Sequence, residues 1–424
     1  TDAGGRAISG AVLSAPVCEE WEGLWMHKVT ASGLPEETVV YYTVGDGQNV
    51  KTGTVKTGSA TETVKILEMA DLQARNADEF FMAADTLREA MAKMPDFDFI
   101  ANCGDFTNDS TNEEWNEYDD AFGEMNRTYL FAPVSGNHDG LGVSNWFNNM
   151  FNLDTSESVE TKDGVNYSFD YGNAHFAVLN TNDLLSVSLA QLKWLKNDMN
   201  STDKDWKIVF MHKSPYALGK DGKWPDALYL QESLTKVLDE CNVDLVMSGH
   251  DHQYLRTKPL KGNKIDSSGT TYVLSGTAGN KFYEVREFLV GHFQNKDFID
   301  NLVIQKKDYG NFWNGSDWRS TDKSNYGTCY STLVIEGGKL TLDAYILGKE
   351  SQTSKNIDHL ELTKKTGENK ITFTGDNTTS ELEYAMGVVP SFGTFAVYTF
   401  TNWLPRFLVM LPDLLYSVIK YDTF

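Results

Sequence analysis

Tyr129-Leu130-Phe131-Ala132-Pro133-Val134-Ser135-Gly136-Asn137-His138-Asp139 decides the fold. Tyr129 to Val134 reads as a strand, and it ends by delivering an amide, an imidazole and a carboxylate after a glycine. The same arrangement recurs along the chain. Working outward, Asp71-Leu72-Gln73 follows a strand at Val64 to Ala70, and Gly104-Asp105 follows a strand at Asp98 to Cys103. His212 follows Val209-Phe210-Met211, and Gly249-His250-Asp251-His252 follows a strand at Val243 to Met247. Helical periodicity fills the gaps, from about Ala77 to Met94 and from Asn112 to Met125. Thr111 offers an N-cap, and Glu113 and Glu114 suit the positive end of the second helix. Strands separated by helices are parallel neighbours, because the helices supply the crossovers. Their carboxyl ends then share one edge of the sheet, where the first three motifs meet and the later two can join.

In an extended chain, side chains two residues apart point the same way at roughly 6.5 Å spacing, so Asp71 with Gln73 and His250 with His252 can face one cavity. Two metal ions about 3.5 to 4 Å apart fit between such donors. Imidazole, carboxylate and amide oxygen together suit Mn, Fe, Zn and, less well, Mg. No motif contributes sulfur.

These five motifs, in this order, resemble the calcineurin-like metallophosphoesterase superfamily, within it the purple-acid-phosphatase-like branch. The likeness covers about Val64 to Lys364. Gly-Asn-His-Asp alone would arise by chance in roughly one chain per thousand of this length. The resemblance implies an α/β, four-layer αββα sandwich. It also implies that Asp105 bridges two metals, that Asp71, Gln73 and His252 complete one site, and that Asn137, His212 and His250 complete the other. His138 would stand free beside substrate as the acid, with Asp139 orienting it, while metal-bound hydroxide attacks phosphorus in line. Gln73 stands where the family often has histidine, and Asn108 where the purple enzymes have a metal-binding tyrosine, so no phenolate-to-iron colour is expected. Asn108, Arg75 and Tyr216 are candidate substrate contacts, as are Lys213, Trp224 and Lys281; His27, His175, His292 and His359 read as structural.

The 424 residues divide into a small N-terminal β module (1–60), the catalytic domain (62–365) and a C-terminal extension (366–424). Gly33-Leu34-Pro35 through Gly45-Asp46-Gly47 resembles the end of the fibronectin-type-III-like leader of the same branch. An irregular, aromatic insertion spans 283–328, with Phe312, Trp313 and Trp318. In the extension, Arg406, Asp413, Lys420 and two prolines interrupt the apolar run at 402–424, so it is expected to pack on the body or touch a membrane surface or partner rather than cross a bilayer. The net charge of -23 argues against nucleic-acid binding and leaves a small-molecule phosphate ester as the expected partner. Cys103 and Cys241 read as buried thiols, and Cys18 with Cys329 is a pairing that sequence leaves open. The start at Thr1 without initiator methionine implies that a leader, a longer N-terminus or an expression boundary has been removed, so a secreted or cell-surface protein is expected; sequons such as Asn126-Arg127-Thr128 do not decide the compartment. The expectation is a dinuclear metal-dependent phosphomonoesterase or phosphodiesterase. The alternative is a catalytically silent surface-binding protein on the same scaffold.

Overall fold

A computed structural model describes residues 1–21, 23–58, 63–140, 146–159, 165–182, 186–218, 226–283, 299–303, 327–348 and 352–364. The N-terminal part holds β1 (Val12–Leu13), β2 (Val17–Trp21), β3 (Leu24–Lys28), β4 (Ala31–Ser32), β5 (Val39–Gly45) and β6 (Val50–Lys56), paired as three two-stranded ribbons. The first α/β half follows: β7 (Thr63–Met69), α1 (Ala77–Lys93), β8 (Phe99–Asn102), α2 (Asn112–Asn126), β9 (Leu130–Pro133) and the short α3 (Trp146–Met150). The second half comprises β10 (Tyr167–Tyr171), β11 (Ala174–Leu179), α4 (Leu189–Ser201), β12 (Trp206–Met211), α5 (Asp226–Glu232), α6 (Leu234–Cys241), β13 (Leu245–Ser248), β14 (Tyr254–Thr257), β15 (Leu260–Lys261), β16 (Lys264–Ile265), β17 (Thr271–Ser275) and β18 (Ile299–Val303). The strands β19 (Gly327–Glu336), β20 (Lys339–Gly348) and β21 (Ser354–Thr363) return to the sheet of the first half.

Two sheets lie face to face, a six-stranded one in the order β21-β20-β19-β7-β8-β9 and a seven-stranded one in the order β10-β11-β12-β13-β17-β14-β18. Alternation along β7 explains the layering. Val64, Ile66 and Ala70 enter the core between the sheets with Phe176, Ile208, Phe210 and Val273, whereas Leu67 and Met69 pack under α1 and α2 with Phe80, Leu87, Trp115 and Tyr118. On the far side Val209, Met211 and Val246 receive Leu192, Leu195, Val237 and Leu238 of α4 and α6. The result is the expected four-layer αββα sandwich, with β7, β8 and β9 parallel and β11, β12, β13 and β17 parallel.

Local signals set the helix ends. Asn76 Oδ1 accepts the Glu79 N–H at 3.1 Å at the start of α1, and Thr111 with Glu114 forms a reciprocal capping box on α2. Between Asp226 and Cys241 the helical segment is broken in two at Ser233, whose hydroxyl donates back to the Tyr229 carbonyl at 2.7 Å. The N-terminal ribbons are fastened to the body near α2: Tyr42 OH donates to the Arg127 carbonyl at 2.8 Å, and Lys51 meets Asp119 at 2.9 Å. Cys103, Cys241 and Cys329 are buried and form no disulfide. Cys18 does not pair with Cys329; it is exposed, with its Sγ 3.0 Å from His27 Nδ1. Among the described residues no helix is long and apolar enough to cross a membrane, and the tail at 402–424, Trp224, Phe312, Trp313, Trp318 and His292 lie outside them.

Candidate dinuclear metal centre

The loops that leave β7, β8, β9, β12 and β13 converge at one edge of the sandwich, and their backbones hold one another. Asp71 N–H donates to the Gly104 carbonyl (2.9 Å), Gln73 N–H to the Asp105 carbonyl (2.8 Å) and Gly249 N–H to the His212 carbonyl (3.0 Å). His250 N–H lies 2.9 Å from both oxygens of Asp71. Five expected ligands sit in the left-handed region: Asp71 (φ 55°), Gln73 (39°), Asp105 (56°), His250 (79°) and His252 (48°). Each costs about 1–2 kcal/mol for a residue with a Cβ, and such costs gather where a structure must aim a side chain. Two glycines permit the approach. A Cβ on Gly136 would stand 2.1 Å from the Asp105 nitrogen and Oδ1, and one on Gly104 (φ 97°) 2.5 Å from His212 Nδ1.

The donors fall into two groups that share one carboxylate, Asp105 with His212 and His250, and Asp105 with Asp71 and His252. Asn137 Oδ1 lies 3.1 Å from His212 Nε2, which is also 3.3 Å from Asp105 Oδ1 and 3.2 Å from His250 Nδ1. His212 Nδ1–H donates to the Cys103 carbonyl (2.8 Å) and His252 Nδ1–H to the Lys281 carbonyl (2.6 Å), because a carbonyl can only accept. Both rings therefore turn Nε2 toward the other donors, His252 Nε2 reaching within 3.6 Å of Asp71 Oδ1. Around His212 Nε2 the lone pairs of an amide, a carboxylate and a second imidazole face one another, an arrangement that needs a cation or a proton between them. Both amide atoms of Gln73 and Oδ2 of Asp105 are buried without a hydrogen-bond partner. Oxygen and imidazole donors converging with orphaned lone pairs fit two divalent ions.

The electrostatics agree. Burial pushes the Asp71 carboxyl well above its usual range, aided by the charge of Asp105. Burial acts the same way on Asp105 but is outweighed by His212 and His138, which hold it well below. Burial also lowers His250 and His252 strongly, with His212 and Lys281 adding to it, so both rings are neutral and ready to ligate. His212 differs: burial lowers it, yet Asp105 and Asp71 carry it up to about 9, so without a cation a proton occupies the space between the donors.

Among the other expected site residues, His138 is partly buried, its N–H donating to Asp105 Oδ1 (2.9 Å) and its Nδ1–H to the Asn108 carbonyl. Asn108 thus touches the site through its main chain. Asp139 does not orient that ring. Its carboxylate accepts the N–H groups of Gly136 (2.8 Å), Asp105 (2.9 Å), Phe106 (2.8 Å) and Thr107 (3.2 Å), sewing the Asp105 and Asn137 loops together. Burial, with the nearby Asp105 charge, pushes Asp139 up to about 7. Arg75 is exposed, and its N–H is held by Glu79 at 2.9 Å. Tyr216 is buried against Tyr272 with its hydroxyl on Asn263, so it packs in the second sheet's outer core. His27, His175 and His359 lie outside both donor groups.

Sequence reasoning missed the segment after β17. Thr277 Oγ1 donates to the Asp71 carbonyl (2.7 Å), Ala278 N–H to the Ala70 carbonyl (2.8 Å), and Tyr283 stacks on His252 with ring centres 4.4 Å apart. Lys281, considered above as a phosphate contact, holds His252 through its carbonyl. Most of these contacts use main-chain atoms, which leave no residue-type signature.

The two donor groups are consistent with a dinuclear metallophosphoesterase site. Residues 64–254 match the family model for calcineurin-like phosphoesterases. Two Arabidopsis thaliana proteins are similar: purple acid phosphatase 21, 24% identical over 271 residues (60% of this chain, 59% of that one), and purple acid phosphatase 22, 24% identical over 267 residues with the same coverage. The chain spans 59% of the length of these relatives. In fold it is similar to a purple acid phosphatase from yellow lupin (Lupinus luteus) seeds, with TM-score 0.58, 16% identity, and coverage of 80% of this chain and 62% of that one.

Proposed function

We propose that the protein is a metal-dependent hydrolase of phosphoric esters. The carrying observation is the single carboxylate, Asp105, shared by two donor groups whose orphaned lone pairs face one another. Asp71, Gln73, Asp105 and His252 would hold one ion, and Asp105, Asn137, His212 and His250 the other. Fe, Mn, Zn or Mg all match these donors. When bound, two such ions supply Lewis acidity at a phosphoryl group and activate water for in-line displacement.

This chain's own residues do the rest. Two carboxylates among seven donors leave a centre with two divalent ions net positive, which draws a small phosphate ester despite the acidic surface. With Nδ1–H committed to the Asn108 carbonyl, His138 has Nε2 left to carry a proton to the leaving oxygen. We assign the N-terminal ribbons to a fibronectin-type-III-like leader, on the strength of the Gly33 to Gly47 stretch.

The test joins metal analysis to hydrolysis of an aryl phosphate, a nucleotide, a bis-aryl phosphodiester and a phospholipid headgroup. The expected result is turnover of at least one substrate, abolished by chelation and restored by added metal. His138→Ala should lower turnover by about 10²- to 10⁴-fold with both ions retained. Two bound ions without turnover of any substrate would overturn the enzyme reading in favour of a binding protein.

A further inference from the structure

The loop leaving β11, Asn180-Thr181-Asn182, ends at the same edge as the five ligand loops and carries none of the seven candidate ligands. Its side chains are buried, and their hydrogen bonds run outward to two of those loops. Thr181 Oγ1 accepts the N–H of Lys213, the residue after His212, at 2.8 Å. Asn182 Nδ2 donates to the carbonyl of Ser135, two residues before Asn137, at 2.8 Å. The loop is itself rigid. Asn182 N–H donates to Asn180 Oδ1 (2.9 Å), and the Gln191 amide both accepts the Asn180 N–H and donates to its carbonyl, each at 2.8 Å. Gln191 lies in the first turn of α4, whose N-cap Ser188 accepts its N–H at 3.1 Å.

The layers give this a purpose. Asn137 follows β9, at the edge of the six-stranded sheet, whereas His212 follows β12, inside the seven-stranded sheet. Their donor atoms nonetheless stand 3.1 Å apart, so the spacing of one metal's ligands depends on how the two sheets meet there. The Thr181–Asn182 pair bridges that junction directly.

Resting on the dinuclear reading above, we propose that Thr181 and Asn182 are positioning residues that clamp the Asn137 and His212 loops together and selectively set the affinity of the ion held by Asn137, His212 and His250. The other half, built on Asp71 and His252, is fastened separately by residues 277–281.

Titration of the metal-free full chain with Zn²⁺, followed calorimetrically, tests this. Wild type should take up two ions. Thr181→Val, which keeps the shape and removes the acceptor, and Asn182→Leu should each weaken one binding event by about 10- to 100-fold and leave the other unchanged. Thr181→Ser should restore the wild-type isotherm. Equal weakening of both events, or two unchanged affinities, sinks the clamp while leaving the metal centre standing. A wild-type chain that binds no pair of ions removes the metal reading and the clamp with it. If Asn182→Leu does not fold, the Thr181→Val and Thr181→Ser pair carries the test alone.

Discussion

The Asp71 half of the centre and the His212 half are held in different ways. Around Asp71 the supports are main-chain pairings, the His250 N–H on the Asp71 carboxylate, and one further segment, 277–281, and Asp71, Gln73 and His252 are buried. Around His212, Asn137, His138 and His250 are only partly buried, and a separate loop ties the Asn137 and His212 loops together. Each half draws donors from both sheets: Asp71 and Asn137 follow strands of the six-stranded sheet, His252 and His212 strands of the seven-stranded one. The buried half is tied across that junction at its own ligands, through Asp71 and the His250 N–H, whereas the more open half is tied through the Thr181–Asn182 loop.

The largest expected effect strikes both halves at once. Asp105→Asn removes the shared carboxylate, so metal analysis should show loss of both ions. Turnover should fall by more than the ~10²- to 10³-fold typical of losing one electrostatic contact. Retention of one ion at full affinity would mean that the halves are independent and Asp105 is not shared.

A smaller effect sharpens the boundary between them. Gly136→Ala places a Cβ 2.1 Å from Asp105 in a packed junction where backbone cannot yield. Overpacking of this kind costs about 1–3 kcal/mol, measurable by chemical denaturation, and metal uptake should weaken with it. Unchanged stability would mean that the Gly136 loop is free to move away from Asp105.

The smallest effect leaves both halves alone. His175, at the far end of β11 from the Thr181 loop, is held between Asp170 (2.7 Å) and Asp198 (2.8 Å). Burial lowers its pKa, but the two carboxylates prevail and raise it above 6.5. Its charged form is thus favoured in the fold. The stabilisation is fully present below pH about 6.5 and is lost as pH rises through the elevated folded value. His175→Gln should flatten that part of the pH–stability curve while metal stoichiometry stays at the wild-type value; a curve of unchanged slope would show that the ring is not charged in the fold.

The donor set was legible because metal chemistry restricts residue type: few side chains ligate, and each stood after an apolar run that announces a strand. The brace was less legible. Asn180, Thr181 and Asn182 are ordinary turn residues, and nothing in their identity says that Ser135 and Lys213 lie across from them. Asp139 shows the opposite error, since its place beside His138 suggested a side-chain partner when four N–H groups claim it. Strand β14, just after His252, went unread because its Tyr254 and Arg256 are explained by a buried ion pair and hydrogen bond to Asp358, about a hundred residues away.

By itself the sequence determined the periodicities, the cap at Thr111, the order of the first strands and helices, and which seven side chains are candidates to hold metal, because these depend on residue type and local spacing. Only the tertiary structure decided that five of those ligands take left-handed backbone, which imidazole nitrogen faces inward, and how two sheets are braced into one centre. Those properties depend on main-chain carbonyls and on contacts between distant segments, and neither leaves a mark in the order of the amino acids.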